Sequence, residues 1–395
     1  MAFILKARAR TFTKTVSFIS LLGTSSALSL HACEAKVLFE QVAGLLGNQE
    51  YDEAAKKLDS STGCPPQSPL ETFQLGWLYG RARRYPKALS IFAALPRDVP
   101  DAMTHDYAVA LSRFELGQYQ AAIDVLKPDQ SSGMADAKAV NLLAVSYSKL
   151  GLYTEAYAAL SPQLQKNPND LTTALNLITI SAEGGDLAKA SDLATEARKR
   201  FPESPDIPIL QGAIAEQTGR SAHALIDFTA AASLAPSRGD ARFFMALSEY
   251  KLGKFDKALT ILRAAVKEGI ADADLHYLAA ECLIKISPAD RDEALGELSQ
   301  AIRLNAESVS ARTLRGKLLL DKGDTRQALV DLEIAHNGDP ASRAALYNLA
   351  RAYRMVGRTA EAHKLFGELR VAAPDTANEF GNQRLGSALA GGDSQ

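Results

Sequence analysis

Residues 116 to 122 read Leu-Gly-Gln-Tyr-Gln-Ala-Ala, and their combination of turn glycine, aromatic ring and small alanine returns along almost the whole chain. Taking the last alanine as a phase marker gives Ala54, Ala88, Ala122, Ala156, Ala190, Ala224, Ala258, Ala294, Ala328 and Ala362. Of the nine intervals between them, eight are 34 residues, and the step from Ala258 to Ala294 is 36. A fixed period of this size marks an array in which each copy is one supersecondary element stacked on its neighbours.

The residues around the marker define that element. Five positions before it stand Gly117, Gly151, Gly185, Gly219, Gly253, Gly323 and Gly357, where a left-handed backbone can end one helix and reverse the chain. An aromatic lies three before it in several copies (Tyr51, Tyr85, Tyr119, Tyr153, Phe255), and a leucine or phenylalanine four after it, from Leu58 and Phe92 to Leu332 and Phe366. This is helical spacing. Small residues twelve before the marker, such as Gly76, Ala110, Ala144, Gly212, Ala246, Gly316 and Ala350, leave room for two helices to approach. Prolines twelve after it, such as Pro66, Pro100, Pro168 and Pro202, stop the second helix.

The pattern resembles the tetratricopeptide repeat, over about residues 35 to 374 in ten repeats. The tryptophan usual early in the first helix is absent throughout, repeat five has Ile178 where a small residue is expected, and repeat eight carries two extra residues around Ser287 to Asp292. The resemblance implies an all-α fold: a right-handed superhelical solenoid of ten helix-turn-helix repeats over residues 33–374, with the first helix of each pair lining a concave wall. It also implies a non-catalytic scaffold that holds a protein or peptide segment on that wall.

Composition agrees. An apolar content of 47% suffices for a continuous core, and a net charge of −2 gives no electrostatic reason to propose nucleic acid or an anionic membrane surface as partner. The six histidines never stand at metal-ligand spacing, there is no His-Glu-x-x-His, no phosphate-cradling glycine loop with lysine, and no Gly-x-Ser-x-Gly elbow. No enzyme activity, cofactor or metal is expected. The acidic pairs Asp52/Glu53 and Asp292/Glu293 fall at helix starts, where they favour the positive end of the helix dipole.

Residues 1–32 have the layout of a secretory signal: Lys6, Arg8, Arg10 and Lys14 precede an apolar segment from Val16 to about Leu30. Export to the periplasm or the exterior follows as an expectation. Cleavage after Ala27 or Ala32 are alternatives, and Leu30-His31-Ala32-Cys33 also resembles a bacterial lipobox, with His31 against it. That leaves two uses for one sulfur. A disulfide between Cys33 and Cys64, at adjoining ends of the first hairpin, would stabilise by roughly 3 to 4 kcal/mol in the chain-entropy picture. A lipid on Cys33 would instead anchor the chain to a membrane. Cys282 reads as a small buried hydrophobe.

Counting positions two, five, nine and twelve of each first helix gives the residues expected to face the wall. Phe73, Trp77, Tyr107 and Phe114 form one aromatic group, and Phe243, Tyr250 and Tyr277 a second; Tyr347 and Arg351 follow in repeat ten. Rigid rings give contact area at small entropic loss and serve as interface anchors. The lysine and asparagine pair with which some members of the family clamp a terminal carboxylate is missing here. Arg351 and Arg354 make a basic spot suited to an acidic segment. Residues 375–395 are expected to contribute a short capping helix and a disordered tail. The function expected is a scaffold or adaptor of the bacterial cell envelope with an unidentified protein partner; the alternatives are self-assembly into a homo-oligomeric spacer, and binding of glycan as a helper in polysaccharide or cell-wall export.

Overall fold

The structure, a computed structural model, describes residues 30–60, 66, 68–131, 136–288 and 291–371, and among the described residues there are twenty helices and no strand. They pair in chain order. The first five hairpins are α1 (Leu30–Gly47) with α2 (Tyr51–Ser60), α3 (Pro69–Arg81) with α4 (Tyr85–Ala93), α5 (Ala102–Glu115) with α6 (Tyr119–Ser131), α7 (Ala137–Lys149) with α8 (Tyr153–Lys166), and α9 (Leu171–Glu183) with α10 (Leu187–Arg200). Then come α11 (Asp206–Gln217) with α12 (Ser221–Leu234), α13 (Gly239–Lys251) with α14 (Phe255–Lys267), α15 (Ala273–Ile286) with α16 (Asp292–Leu304), α17 (Val309–Lys322) with α18 (Thr325–Gly338), and α19 (Arg343–Met355) with α20 (Thr359–Val371). The two extra residues of repeat eight fall in the turn between α15 and α16. Residues 1–29 of the leader and the cap over 375–395 lie outside the described residues, as do the Cys33 side chain and residue 64, and with them the Cys33–Cys64 pairing and the lipid on Cys33.

Local chemistry sets each boundary. Most first helices begin at a short oxygen-bearing side chain that accepts a free amide hydrogen: Ser68 from Glu71 (3.1 Å), Asp101 from Thr104 (2.9 Å), Asp136 from Ala139 (2.8 Å). Asp170, Asp272, Ser308 and Ser342 do the same in later repeats. At the turn between helices the seven phased glycines take φ between +71° and +88°. Repeats one and two have no glycine there, and Gln49 (φ 66°) and Arg83 (φ 60°) hold the same left-handed turn with a side chain present.

Two compact bodies divide the chain at Leu193 and Ala194, within α10. In the N-terminal body α1 packs on α3, α5 on α7, and α7 on α9, so first helices adjoin first helices. Its core includes Val42, Leu46, Leu58, Phe73, Tyr79 and Phe92. In the C-terminal body α13 packs on α15 and α17 on α19, and Leu319, Leu332, Leu346, Leu349 and Leu365 form the core of its last two repeats.

The ten marker alanines are all buried, none more than 2% exposed. The small residue twelve before the marker is there for a steric reason. A Cβ on Gly76 would stand 2.7 Å from Phe92 Cε1, one on Gly212 2.5 Å from Phe228 Cε1, and one on Gly316 2.5 Å from Leu332 Cγ. Each of those partners is the large residue four after the marker. Repeat five exchanges the sizes: Ile178 stands at the small position, and Ala194 stands where every other repeat has leucine or phenylalanine. The acidic pairs at helix starts are engaged by cations as well, Asp52 by Arg84 (2.7 Å), Glu53 by Lys56 (2.7 Å), Asp292 by Lys322 and Glu293 by Arg263.

Candidate functional site

The first helices carry the residues singled out by register, and their fates differ by side chain. Phe73 (3% exposed), Phe114 (5%) and Phe243 (0%) are buried, which corrects the expectation that they stand on an open wall. Phe73 packs on Phe92 at 5.2 Å between ring centroids, Phe114 on Tyr119 at 5.3 Å, and Phe243 meets Phe244 edge-on at 5.5 Å. A phenyl ring has no polar atom to satisfy, so each gap between helices takes it up.

Rings with a polar tip stay partly open. In the N-terminal body Trp77 on α3 lies against Tyr107 on α5 at 6.4 Å, both half-buried, and burial raises the Tyr107 phenol above its ordinary range. In the C-terminal body Tyr250 from α13 and Tyr277 from α15 donate to the two oxygens of Glu281, at 3.3 and 3.0 Å. Burial first, and the Glu281 carboxylate second, hold both phenols protonated well above their usual range. Tyr347 is 48% exposed, held by an edge contact to Phe366 at 6.4 Å with the Arg351 guanidinium 5.8 Å from its centroid.

Arg351 is not a free anchor. Its guanidinium donates to Asp321 (3.2 Å) and to Asn348 (3.2 Å), and Asp321 also takes Arg291 at 2.7 Å. Asp321 was missed by the register count because it stands one place beyond the last position counted on α17. Further polar residues close on one another. Asn141 donates to Thr173 (3.0 Å) and accepts from Asn176 (2.6 Å), and Glu216 accepts from Ser221 (3.0 Å), Ser248 (2.9 Å) and Lys251 (3.0 Å). Such buried pairs are satisfied internally and present little to a ligand. Lys317 and Arg354 are exposed, and their side chains make no ion pair or hydrogen bond among the described residues.

Among the described residues no grouping of histidine, cysteine, aspartate and glutamate could hold a metal ion, and no helix is long and apolar enough to cross a membrane. Cys282 is fully buried, and burial pushes its thiol up to about 12, so little of the reactive thiolate forms at neutral pH.

Models of the family described as Tetratricopeptide repeat match residues 73–135, 175–239, 245–285 and 319–380. The protein named Cellulose synthase operon protein C, from Pseudomonas fluorescens, is 24% identical over 220 residues. That match takes in 52% of this chain, and the chain spans only 17% of that protein. Among solved structures, a tetratricopeptide repeat protein from Parabacteroides merdae superposes with a TM-score of 0.48 at 17% identity, over 63% of this chain and 98% of the other. Yeast Tom70 superposes with a TM-score of 0.44 at 17% identity, over 91% and 96%.

Proposed function

Because this chain belongs to the tetratricopeptide repeat family, whose repeats build protein-interaction scaffolds, we propose that it is a non-catalytic adaptor of a bacterial cell envelope holding a protein or peptide segment along its first helices. The observation that carries this reading is the recurrence of Trp77, Tyr107, Tyr250, Tyr277 and Tyr347 at positions five, nine and twelve of the first helices, each ring fixed by a neighbour and none fully buried. Rings already held in place lose little freedom on binding. Export is supported by the charged and apolar layout of residues 1–32.

Crosslinking and co-purification from the native envelope test the proposal. The intact protein is compared with a Trp77→Ala, Tyr250→Ala, Tyr347→Ala variant matched for helicity by circular dichroism. A partner captured by the first and lost by the second is the expected result. The same partner recovered equally by both would remove the wall from the account. The name of the Pseudomonas fluorescens relative favours a second reading, a helper in polysaccharide export that binds glycan through the same rings. Retention on a glycan array, sensitive to the same three substitutions, would move that reading ahead.

A further inference from the structure

α17 and α19 together carry seven cations, Arg312, Arg315, Lys317, Lys322, Arg343, Arg351 and Arg354, against the single carboxylate of Asp321. Four of the seven are spoken for. Asp331 of α18 holds Arg312 and Arg315, Asp292 holds Lys322, and the Leu369 carbonyl accepts from Arg343 at 2.7 Å. Lys317 and Arg354 remain without a partner among the described residues, while Arg351 must share Asp321 with Arg291. The protein as a whole is slightly acidic, so this excess is local to the wall of repeats nine and ten. Its exposed ring is Tyr347, one helical turn before Arg351.

We infer that repeats nine and ten take an acidic, extended internal segment of a protein partner, its carboxylates set against Lys317, Arg351 and Arg354 and its backbone passing Tyr347. This rests on the adaptor reading above and names the chemistry of the partner. α17 and α19 pack directly on each other. Packed helix axes stand about 10 Å apart, and an extended chain advances about 3.3 Å per residue. Carboxylates about three residues apart would therefore meet cations on successive helices. Arg351 reaches Asp321 through a single 3.2 Å bond to one carboxylate oxygen, while Arg291 holds the other at 2.7 Å, so a partner's carboxylate can add a bidentate contact on Arg351. A uniformly charged polyanion suits the wall less well, because the Asp321 carboxylate stands beside Arg351 in it.

The test is fluorescence anisotropy of the full chain with a labelled, C-terminally amidated peptide of about 12 residues carrying glutamate at every third position. A second peptide has glutamine at those positions. Expected is binding of the glutamate peptide alone, weakened as salt rises from about 50 to 300 mM, and at least about tenfold weaker for the Lys317→Glu, Arg354→Glu variant. Neither side chain makes an ion pair or hydrogen bond among the described residues, so that variant should keep its helicity and melting temperature. Lys199→Glu, on the exposed face of α10, should bind as the parent does. Equal binding of the two peptides, indifference to the paired substitution, or binding of single-stranded oligonucleotide as tight as that of the peptide would overturn the inference. Partner capture in the envelope separates the two levels. If the natural partner is still lost on removing Trp77, Tyr250 and Tyr347 while the acidic peptide fails, the adaptor reading stands and only the acidic segment falls.

Discussion

Position five of the first helix holds Phe73, Tyr107, Phe243, Tyr277 and Tyr347, and the structure treats these rings by their chemistry and not by their register. The phenylalanines are buried to 3% and 0%, whereas Tyr347 keeps 48% of its surface and Tyr277 keeps its hydroxyl on Glu281. A hydroxyl needs water or an acceptor, and that need holds a tyrosine at the edge of the core. Another outcome was hidden in the sequence. Asp331 looks there like an ordinary surface acid, yet it is 1% exposed and accepts from Arg312 (2.9 Å) and from two nitrogens of Arg315 (2.6 and 2.8 Å). Asp331→Ala leaves two guanidiniums facing a desolvated gap. Its cost is expected to be about 3 kcal/mol, at the low end for a broken buried pair because Arg315 keeps some access to water. Chemical denaturation followed by circular dichroism measures it, and a loss of under half a kcal/mol would mean that the arginines find other acceptors.

At the scale of the helical hairpin, the contact twelve before and four after the marker sets how close two helices come. Gly212→Ala places a Cβ 2.5 Å from Phe228 and is expected to destabilise by about 1–3 kcal/mol through overpacking. Combining it with Phe228→Leu recreates the pairing that Ala110 and Leu126 make in repeat three, and most of the loss should return. Thermal melts of the two single variants and the double decide this, since simple additivity of the losses would show that the pair does not share one space. The turn offers the opposite case. Gln49 holds φ 66° where seven other repeats have glycine, so Gln49→Gly is expected to raise stability by about 0.5–1 kcal/mol, and Gly151→Ala to lower it by a similar amount. A melting temperature that falls for Gln49→Gly would show that the side chain contributes more than the backbone strain removes.

An array in which each repeat touches only its neighbours should respond locally to damage. Phe92 is 1% exposed in the core of repeats one to three, and Phe92→Ala is expected to remove about 3–5 kcal/mol there. Hydrogen exchange should then rise across α1 to α5 and stay unchanged across α17 to α20. A uniform rise over the whole chain would argue for one cooperative fold in place of a chain of local ones. The proposed wall inherits the same logic. Substitutions at Trp77 and at Tyr250 act in different repeats of different compact bodies, so their effects on partner capture should combine without cross-talk in stability.

The sequence by itself determined the phase, number and polarity of the helices, because glycine, alanine and proline have backbone and volume demands that do not depend on distant partners. Marker alanines, turn glycines and the displaced turn of repeat eight all appear where the spacing puts them. Only the tertiary structure decided which wall residues remain open and which ions pair. Whether Phe73 or Tyr347 is exposed, and whether Asp321 or Asp331 takes an arginine, depends on side chains some 16 to 30 positions away in sequence. Those distances are set by packing between helices, and burial and charge pairing are properties of that packing, not of any one repeat.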